Sequence, residues 1–573
     1  MPVRAVQLIE QEQKPRLFPR QIDTELENCT EVCKYEKKKL RKFLITEGIT
    51  SIAEMDYLLR KRFEQYLLEE QHLKKIDRYI LAYDRVKQYS IRQQMQTLSG
   101  RTRCQWKLEN KVLFIPYHPD QTLAMEFDTV RNRKNMVWDF TKPCSSVLKN
   151  QIFITLNAVL SQFKELRKRE QRLSGLQYLY HFCAESGIED IEKMEQIQVE
   201  EFESYLEQHT DSESRRMLLL PILGYCRETV FLQNETIHWD ANIWYLERMR
   251  LPEHRVNPSS AFVTVSFIEI TMPENRRYAQ EFMKYQIGIT GQSVSTMVIK
   301  FGGIKQFLIW LCERKESACS CSEEQIDRYL QEIQERGIIP KTFNEYVTGL
   351  SQFYHFMTVR GYMERMPFHP EYYIKKVIRR HHDRSVSPEI CTELLGLLHL
   401  LPEHLRCMYL HLWCLGLRIS EVCTLKGNSY YKKDDETWIQ LYQTKMKTYK
   451  RIPIAEGLYK IMQVYIRRNN IGPDEYLFKN KNGGACLTQT FRERMKKFCK
   501  EQGIAEGEYL FQTHDYRHTV ATFFYESGAS LQSVRDYLGH SYQEMTEQYI
   551  DYVPQKIAKA NDEYFKQPGN NLA

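Results

Sequence analysis

Glycine and proline are scarce in this chain of 573 residues, at 24 and 19. Sandwiches and barrels need many turns built from those two residues, so their scarcity argues for helix. Apolar runs are short as well. None approaches the roughly 20 residues of a membrane span. The opening stretch MPVRAVQLIEQEQKPRLFPR has no apolar core of signal-peptide length. A cytoplasmic protein is therefore expected. The 15 cysteines are an odd number without framework spacing, and in a reducing compartment most read as small buried apolar residues. Cys312, Cys319 and Cys321 form the tightest group, but they lack the paired spacing or histidine partner of a zinc site. No metal and no cofactor are expected. Charge of one sign is also not in strong excess. The net of +7 is too modest to mark a nucleic-acid binder, so the signal lies in where basic residues gather.

What is present is length and repetition. A chain of 573 residues is too long for one core, and three or four domains are expected. The stretch from Gly48 to Glu70 returns as Gly187 to Gln208. Gly48, Ile49, Ile52, Met55, Phe63, Glu64, Tyr66 and Leu67 match Gly187, Ile188, Ile191, Met194, Phe202, Glu203, Tyr205 and Leu206, all at an offset of 139 residues. Phe43 and Phe182 keep the same offset. A gapless register of this kind points to a duplicated small helical domain, with too long a period for a solenoid. A fainter third copy is expected over 304–337. The segments 110–118 and 260–272 are rich in β-branched and aromatic residues and read as strand-like, the first as part of a short hairpin. A helix is expected from about Pro273, and another ending at Gly361.

The expected division is a helical domain over 1–145 with a possible DNA arm, a second over 146–260, a third over 261–375, a basic linker over 376–387 and a final domain over 388–573. The linker sequence KKVIRRHHDRSVS suits phosphate tracking. In the last domain, helices alternate with one β-hairpin over 437–454. The fold class expected is mainly α with a small β-hairpin or sheet near the C-terminus, a multidomain α+β chain.

The chemistry gathers late. Arg418 stands at a helix start after Gly416. Lys445 sits at the hairpin turn, with Lys447, Lys450 and Arg451 as rivals. His514 and Arg517 are one helical turn apart and share a face. His540 follows in a Leu-Gly-His turn, and Tyr549 lies nine residues beyond it. Each residue alone is weak. A lone arginine is usually salt-bridged, a basic hairpin tip is usually solvated, and Tyr549 is one of 36 tyrosines. Together they supply what breaking a phosphodiester without a metal requires. That is a nucleophile, guanidinium forks for the phosphate oxygens, an acid for the leaving oxygen and an imidazole base.

The motifs GLRISEVCTL, TKMKTYKRIPI, HDYRHTVAT and YLGHS, with a tyrosine nine residues on, resemble those of the tyrosine recombinase (phage integrase) family. The spacing of 23 residues from Arg517 to His540 is also the family's. The likeness is strong over 388–553 and weaker over 272–370. It implies a tyrosine-recombinase catalytic fold preceded by helical, core-binding-like domains. It implies that Arg418 and Arg517 hold the scissile phosphate, that Lys445 is the general acid and that His514 acts on the tyrosine proton. His540 would bond a phosphate oxygen, and Tyr549 would form a 3′-phosphotyrosyl link. Partners implied are double-stranded DNA and further copies in a tetramer on two sites, with sister recombinases as further partners and no membrane. The setting implied is a prokaryotic cytoplasm, at the nucleoid. The size resembles transposases and integrases of mobile elements, and the duplicated N-terminal units read either as extra DNA clamps or as protein-contact modules. Two competing readings are a non-catalytic DNA-binding accessory protein and a tyrosine-type topoisomerase. The complete set of six positions weighs against the first, and the HxxR and LGH motifs against the second.

Overall fold

The computed structural model describes residues 19–109, 111–128, 130, 133–260, 262–378, 384–539 and 566. It divides into two compact units, Met1–Arg248 and Met249–Ala573. Both are mainly helical, with the largest sheet near the C-terminus.

In the first unit, α1 (Pro19–Asn28), α2 (Lys34–Thr46), α3 (Tyr57–Gln65) and α4 (Asp77–Gln94) enclose one core built on Phe43, Leu44, Phe63, Leu67 and Tyr83. The short helices α5 (Leu98–Arg103) and α6 (Gln121–Glu126) flank β1 (Val112–Phe114), which pairs antiparallel with β2 (Val137–Asp139). The strand expected near 110–118 thus finds its partner across a long connection rather than in a tight hairpin. A second core follows, formed by α7 (Ser146–Gln162), α8 (Leu166–Glu185), α9 (Gln196–His209), α10 (Glu213–Leu219) and α11 (Ile222–Gln233), with Trp138 and Phe140 against them. β3 (Ile243–Tyr245) closes the unit.

The sequence repeat is a structural repeat. α2 ends at Gly48 and α8 at Gly187, both left-handed at φ 69° and 67°, a conformation that glycine adopts without strain. The next amides then reach back alike: Ile49 N–H to Leu44 O and Ile188 N–H to Cys183 O, both 2.9 Å. A 3₁₀ turn follows in each, and an acidic residue caps the next helix, Asp56 for α3 and Glu195 for α9. Phe43 packs on Phe63 at 5.0 Å between ring centroids, and Phe182 on Phe202 at 5.3 Å.

The second unit opens with β4 (Thr264–Ser266), α12 (Pro273–Gly288), α13 (Val294–Glu313), α14 (Glu323–Glu335) and α15 (Pro340–Val359). Among the described residues of the stretch 260–272, strand is thus confined to the three of β4. The third copy is complete in shape. Lys315 takes the left-handed position at φ 57°, and Glu316 N–H reaches Leu311 O at 3.0 Å. Ser322 and Gln325 form the capping box of α14, and Trp310 meets Tyr329 at 5.5 Å. α13 is long and apolar enough to cross a membrane by length and composition. It carries Lys300 and Lys305, and its apolar residues Phe301, Ile304, Phe307, Leu308 and Leu311 are buried within this copy.

One buried ionic knot stabilises the first bundle. The Asp84 carboxylate accepts from Arg60 Nε and Nη2 at 2.7 and 3.1 Å, from Arg133 Nη1 at 2.7 Å and from the Tyr117 hydroxyl at 2.7 Å. Asp84 and Arg60 are 2% and 8% exposed. Asp84→Ala leaves Arg60 charged and buried without its anion, and is expected to cost about 3–5 kcal/mol. Urea denaturation of the variant checks this, and a loss below about 1 kcal/mol would refute it.

The last region starts with α16 (Pro388–Leu397), α17 (Glu403–Leu415) and α18 (Ile419–Cys423). A three-stranded antiparallel sheet follows, in the order β5 (Tyr430–Lys433), β6 (Glu436–Gln443) and β7 (Thr448–Pro453). α19 (Glu456–Arg468), α20 (Thr488–Glu501), α21 (Thr513–Glu526) and α22 (Leu531–Leu538) complete it. Leu394, Met408, Leu412, Val422, Ile439, Met462, Phe491 and Tyr516 share one core. That core fixes α17 against α21, with Tyr409 edge-on to Tyr516 at 5.2 Å.

Candidate active site

The site is assembled where α17 ends. Gly416 terminates the helix in the left-handed conformation, at φ 57°. A Cβ there would stand 3.0 Å from Val520 Cβ and 3.4 Å from Arg517 Cα, so glycine lets the chain turn hard against α21. The turn delivers Arg418 to the N-cap of α18. Its guanidinium Nη1 donates to Glu421 Oε1 at 2.9 Å, and its backbone N–H to Oε2 at 2.9 Å.

Arg517 lies on α21 and is 1% exposed. Nη1 donates to Gly416 O at 2.9 Å, and Nη2 donates to Leu538 O. Arg517 therefore ties the end of α17 to the end of α22. Gly539 follows α22 at φ 68°, and a Cβ on it would fall 2.7 Å from the Gln443 amide. Gln443 closes the circuit from the last position of β6, where its Nε2 donates to Glu421 Oε1 at 2.9 Å. Both arginines are thus held from behind by backbone carbonyls and one carboxylate.

β6 and β7 turn through Thr444–Lys447, with Gln443 paired to Thr448. Met446 N–H and Lys447 N–H both donate to Gln443 O, at 3.0 and 2.8 Å. Lys445 stands exposed at this tip. His514, in the first turn of α21, opens to solvent, and its ring meets His518 edge-on at 4.9 Å. Its pKa falls to about 4 through burial of part of the ring, and then through the field of Arg517, Arg418, Arg384 and Lys445. It is therefore neutral at neutral pH, the form in which an imidazole accepts a proton.

Four of the six residues singled out from sequence converge here: Arg418, Lys445, His514 and Arg517. His540 and Tyr549 lie outside the described residues. Four further residues belong to the same cluster, and of these the sequence reading had named only Lys450, as a rival to Lys445. Glu421 is the buried counter-ion. Burial pushes its pKa up, but Arg418, Arg517 and Lys450 outweigh that and hold the carboxyl below its ordinary range. Its place three residues after an N-cap is the signal that would have found it. Gln443 positions Glu421. Lys450 points inward from β7 and is 7% exposed, with no hydrogen-bond partner for Nζ among the described residues, 5.2 Å from the centre of the Tyr537 ring. Alternation along β7 puts Lys450 on the same face as Ile452, a pattern visible in the sequence. Arg384, at the end of the basic linker, acts on both His514 and Asp515.

Among the described residues, Arg418, Arg517, Arg384 and Lys445 gather around the Glu421 carboxylate and His514, with Lys450 partly charged beside them. Such an excess of donors at a half-open site fits a bound anion, and planar guanidinium forks fit a phosphate. Among the described residues no group of three histidine, cysteine or acidic side chains is placed to hold a metal ion.

Residues 387–556 match the family model described as "Phage integrase family". Transposase B from transposon PsiTn554 of Staphylococcus aureus is 29% identical over 323 residues, covering 54% of this chain and 51% of that protein. The tyrosine recombinase of Pseudothermotoga lettingae is 25% identical over 284 residues, covering 49% of this chain and 95% of that protein. This chain thus spans about half the length of the transposase relatives it matches. Among solved structures, XerH site-specific recombinase bound to a palindromic difH substrate is similar at a TM-score of 0.39 and 14% identity, over 52% of this chain and 90% of that one. The Tn1549 transposon integrase in complex with circular intermediate DNA is similar at a TM-score of 0.36 and 18% identity, over 49% of this chain and 98% of that one. Residues 387–556, in which the arginines, lysine and histidine of the motifs gather around one anion-ready cluster, thus match the phage integrase family.

Proposed function

We propose that this protein cuts and rejoins duplex DNA, integrating or excising a mobile element, with Tyr549 as its nucleophile. The observation that carries the reading is the convergence of Arg418, Arg517, His514 and Lys445 around a buried carboxylate. The scissile phosphate docks on the two guanidinium forks. The Tyr549 hydroxyl attacks phosphorus, His514 takes its proton, and the bond to the 5′-oxygen breaks. Lys445 protonates that departing oxygen, while His540 and the arginines stabilise the charge on the phosphorane. The product is a 3′-phosphotyrosyl link and a free 5′-hydroxyl. Attack by a 5′-hydroxyl from a second duplex reverses each step and joins the strands. The bond energy stays in the phosphotyrosine, so no nucleotide cofactor enters.

The third helical copy, over α12–α15, serves as the core-binding clamp in this reading, with the basic linker following the backbone between it and the catalytic region. Four copies of the chain act on two DNA sites, alone or with sister recombinases, in the bacterial cytoplasm at the nucleoid. The names of the transposase and integrase relatives support a mobile-element substrate.

The test is a nicked suicide duplex that carries the end of the element encoding this protein. The unmodified chain is expected to form a covalent protein–DNA adduct that survives denaturation, and Tyr549→Phe is expected to form none. An adduct of equal yield in the variant overturns the nucleophile, and a failure of the unmodified chain on every end sequence overturns the reaction.

A further inference from the structure

A cavity of about 480 Å³ opens beside β2 in the first unit, far along the chain from the catalytic residues. Lys134, Lys142, His181 and Arg215 line it, with Ser174 and Tyr178 from α8. Lys142 Nζ stands 2.9 Å from His181 Nδ1. An ammonium has only donors, so this contact makes Nδ1 the acceptor and leaves the proton on Nε2. Burial, and then Lys142, keep the His181 pKa below its ordinary value, against the opposing pull of Glu185 and Asp139. The polar ends that line this cavity are therefore mostly donors. Among the described residues that line it the one acid is Asp139, whose Oδ1 accepts from Thr141 N–H at 2.9 Å and Thr141 Oγ1 at 2.6 Å. A cavity in which Lys134, Lys142 and Arg215 outnumber a single carboxylate fits an anion.

Its position within the repeat is the second observation. Ser174 and Tyr178 on α8 stand 128 positions before Gly302 and Gln306 on α13, which line a cavity of about 730 Å³ in the third copy together with Lys300 and Lys341. The same offset relates Gly175 to Gly303. Both glycines mark where the partner helix crosses closely, since a Cβ would lie 3.2 Å from Ile222 on α11 in one copy and 3.0 Å from Tyr346 on α15 in the other. The two cavities thus occupy the same face of the same repeated unit, and each carries a basic side chain on a helix packed against it, Arg215 on α10 in the second copy and Lys341 on α15 in the third.

We propose that Lys134, Lys142, His181 and Arg215 bind phosphates of the DNA backbone, making the second helical copy a DNA grip additional to the clamp and the catalytic region. The identification of the anion as DNA rests on the proposed function. The site itself rests on the cavity. Contacts of this kind add affinity and position without reading sequence. Lys134 and Arg215 are exposed, so replacing them leaves the core intact.

The experiment measures binding of the full chain to a long duplex carrying the element end, across salt concentrations. Lys134→Gln with Arg215→Gln is expected to flatten the slope of log affinity against log salt by about 2, near 0.9 for each lost phosphate contact. Lys142→Met is expected to flatten it by about 1. The reference is Lys61→Gln with Lys168→Gln, the same charge change at exposed lysines that already face glutamates. A slope equal to that of the unmodified chain, or to that of the reference pair, overturns the proposal. Adduct formation on a short nicked duplex separates the two readings. If the unmodified chain forms no adduct but the cavity variants still lose salt-dependent binding, the catalytic reading fails and the grip stands. If the adduct forms and the slope is unmoved, the grip fails alone.

Discussion

Replacing Arg517 by lysine is expected to slow single-turnover cleavage of a nicked duplex by about 10²- to 10³-fold. The charge is kept, so the loss isolates the fork. Arg517 directs one guanidinium nitrogen at Gly416 O and another at Leu538 O. That anchoring fixes the plane of the guanidinium. A lysine ammonium is a point donor on a flexible stem and cannot hold two carbonyls and a phosphate oxygen in one plane. The variant also leaves a buried carbonyl without a donor, at a cost of about 1–3 kcal/mol in stability. The two losses are separable, because cleavage is measured with saturating DNA well below the melting transition and stability by denaturation without DNA. Cleavage at the unmodified rate by a correctly folded Arg517→Lys protein would remove Arg517 from the phosphate clamp. Loss of stability without loss of rate would leave it a purely structural strut between α17 and α22.

The contrast between Arg517 and its neighbours explains what the sequence made legible. Arg418, Lys445, His514 and Arg517 stand in short motifs with local structure attached: a helix start, a hairpin tip, one helical turn. Residues of that kind can be placed without knowing the fold. Glu421, Gln443 and Lys450 are different, because their role comes from burial against one another, and burial is a tertiary property. Gln443 is an ordinary strand-end glutamine until Gly539, nearly a hundred residues later, turns against its amide. Arg384 read as one more charge in a basic linker, and only the packing of Ser385 and Val386 against Thr522 and Thr519 of α21 puts it in the field of His514. The same logic governs the repeat. The first two copies kept Gly48 and Gly187 at the helix-ending turn and Phe at both core positions, so identity alone revealed them. The third copy kept the backbone and only a few identities, such as Tyr329 and Leu330, with Lys315 in the left-handed position and Trp310 and Tyr329 as its ring pair. β1 illustrates the opposite limit: its partner β2 lies beyond a long connection that no local pattern announces.

Lys450 gives the second large effect, and it is one of stability. Its Nζ is buried in the field of Arg418, Arg517 and Glu421. Burial drives its pKa down from 10.5 to about 7, Glu421 opposes this, and the two arginines add to it. The unfolded chain holds its proton up to about pH 10.4. Between pH 7 and 10.4 the unfolded state therefore binds more protons than the folded one, and stability from this group rises with pH across that window. Below pH 7 both states are protonated, and the full penalty of a buried charge is present. Lys450→Met keeps the side-chain length without the charge. The variant is expected to be more stable than the unmodified chain at pH 6–7, by an upper bound of about 5 kcal/mol, and the advantage should shrink steadily toward pH 10. Denaturation midpoints of both proteins, taken at matched pH from 6 to 10, read this difference directly, and other titrating groups cancel in the subtraction. A variant less stable than the unmodified chain at pH 6 would mean that the attraction to Glu421 outweighs burial. If Arg418 and Arg517 clamp a phosphate as proposed, the incoming anion relieves this penalty, since it would raise the Lys450 pKa and draw a proton onto it. The advantage of Lys450→Met at pH 7 is accordingly expected to narrow when a saturating non-cleavable duplex is bound, because DNA adds to the unmodified protein an attraction that methionine cannot make.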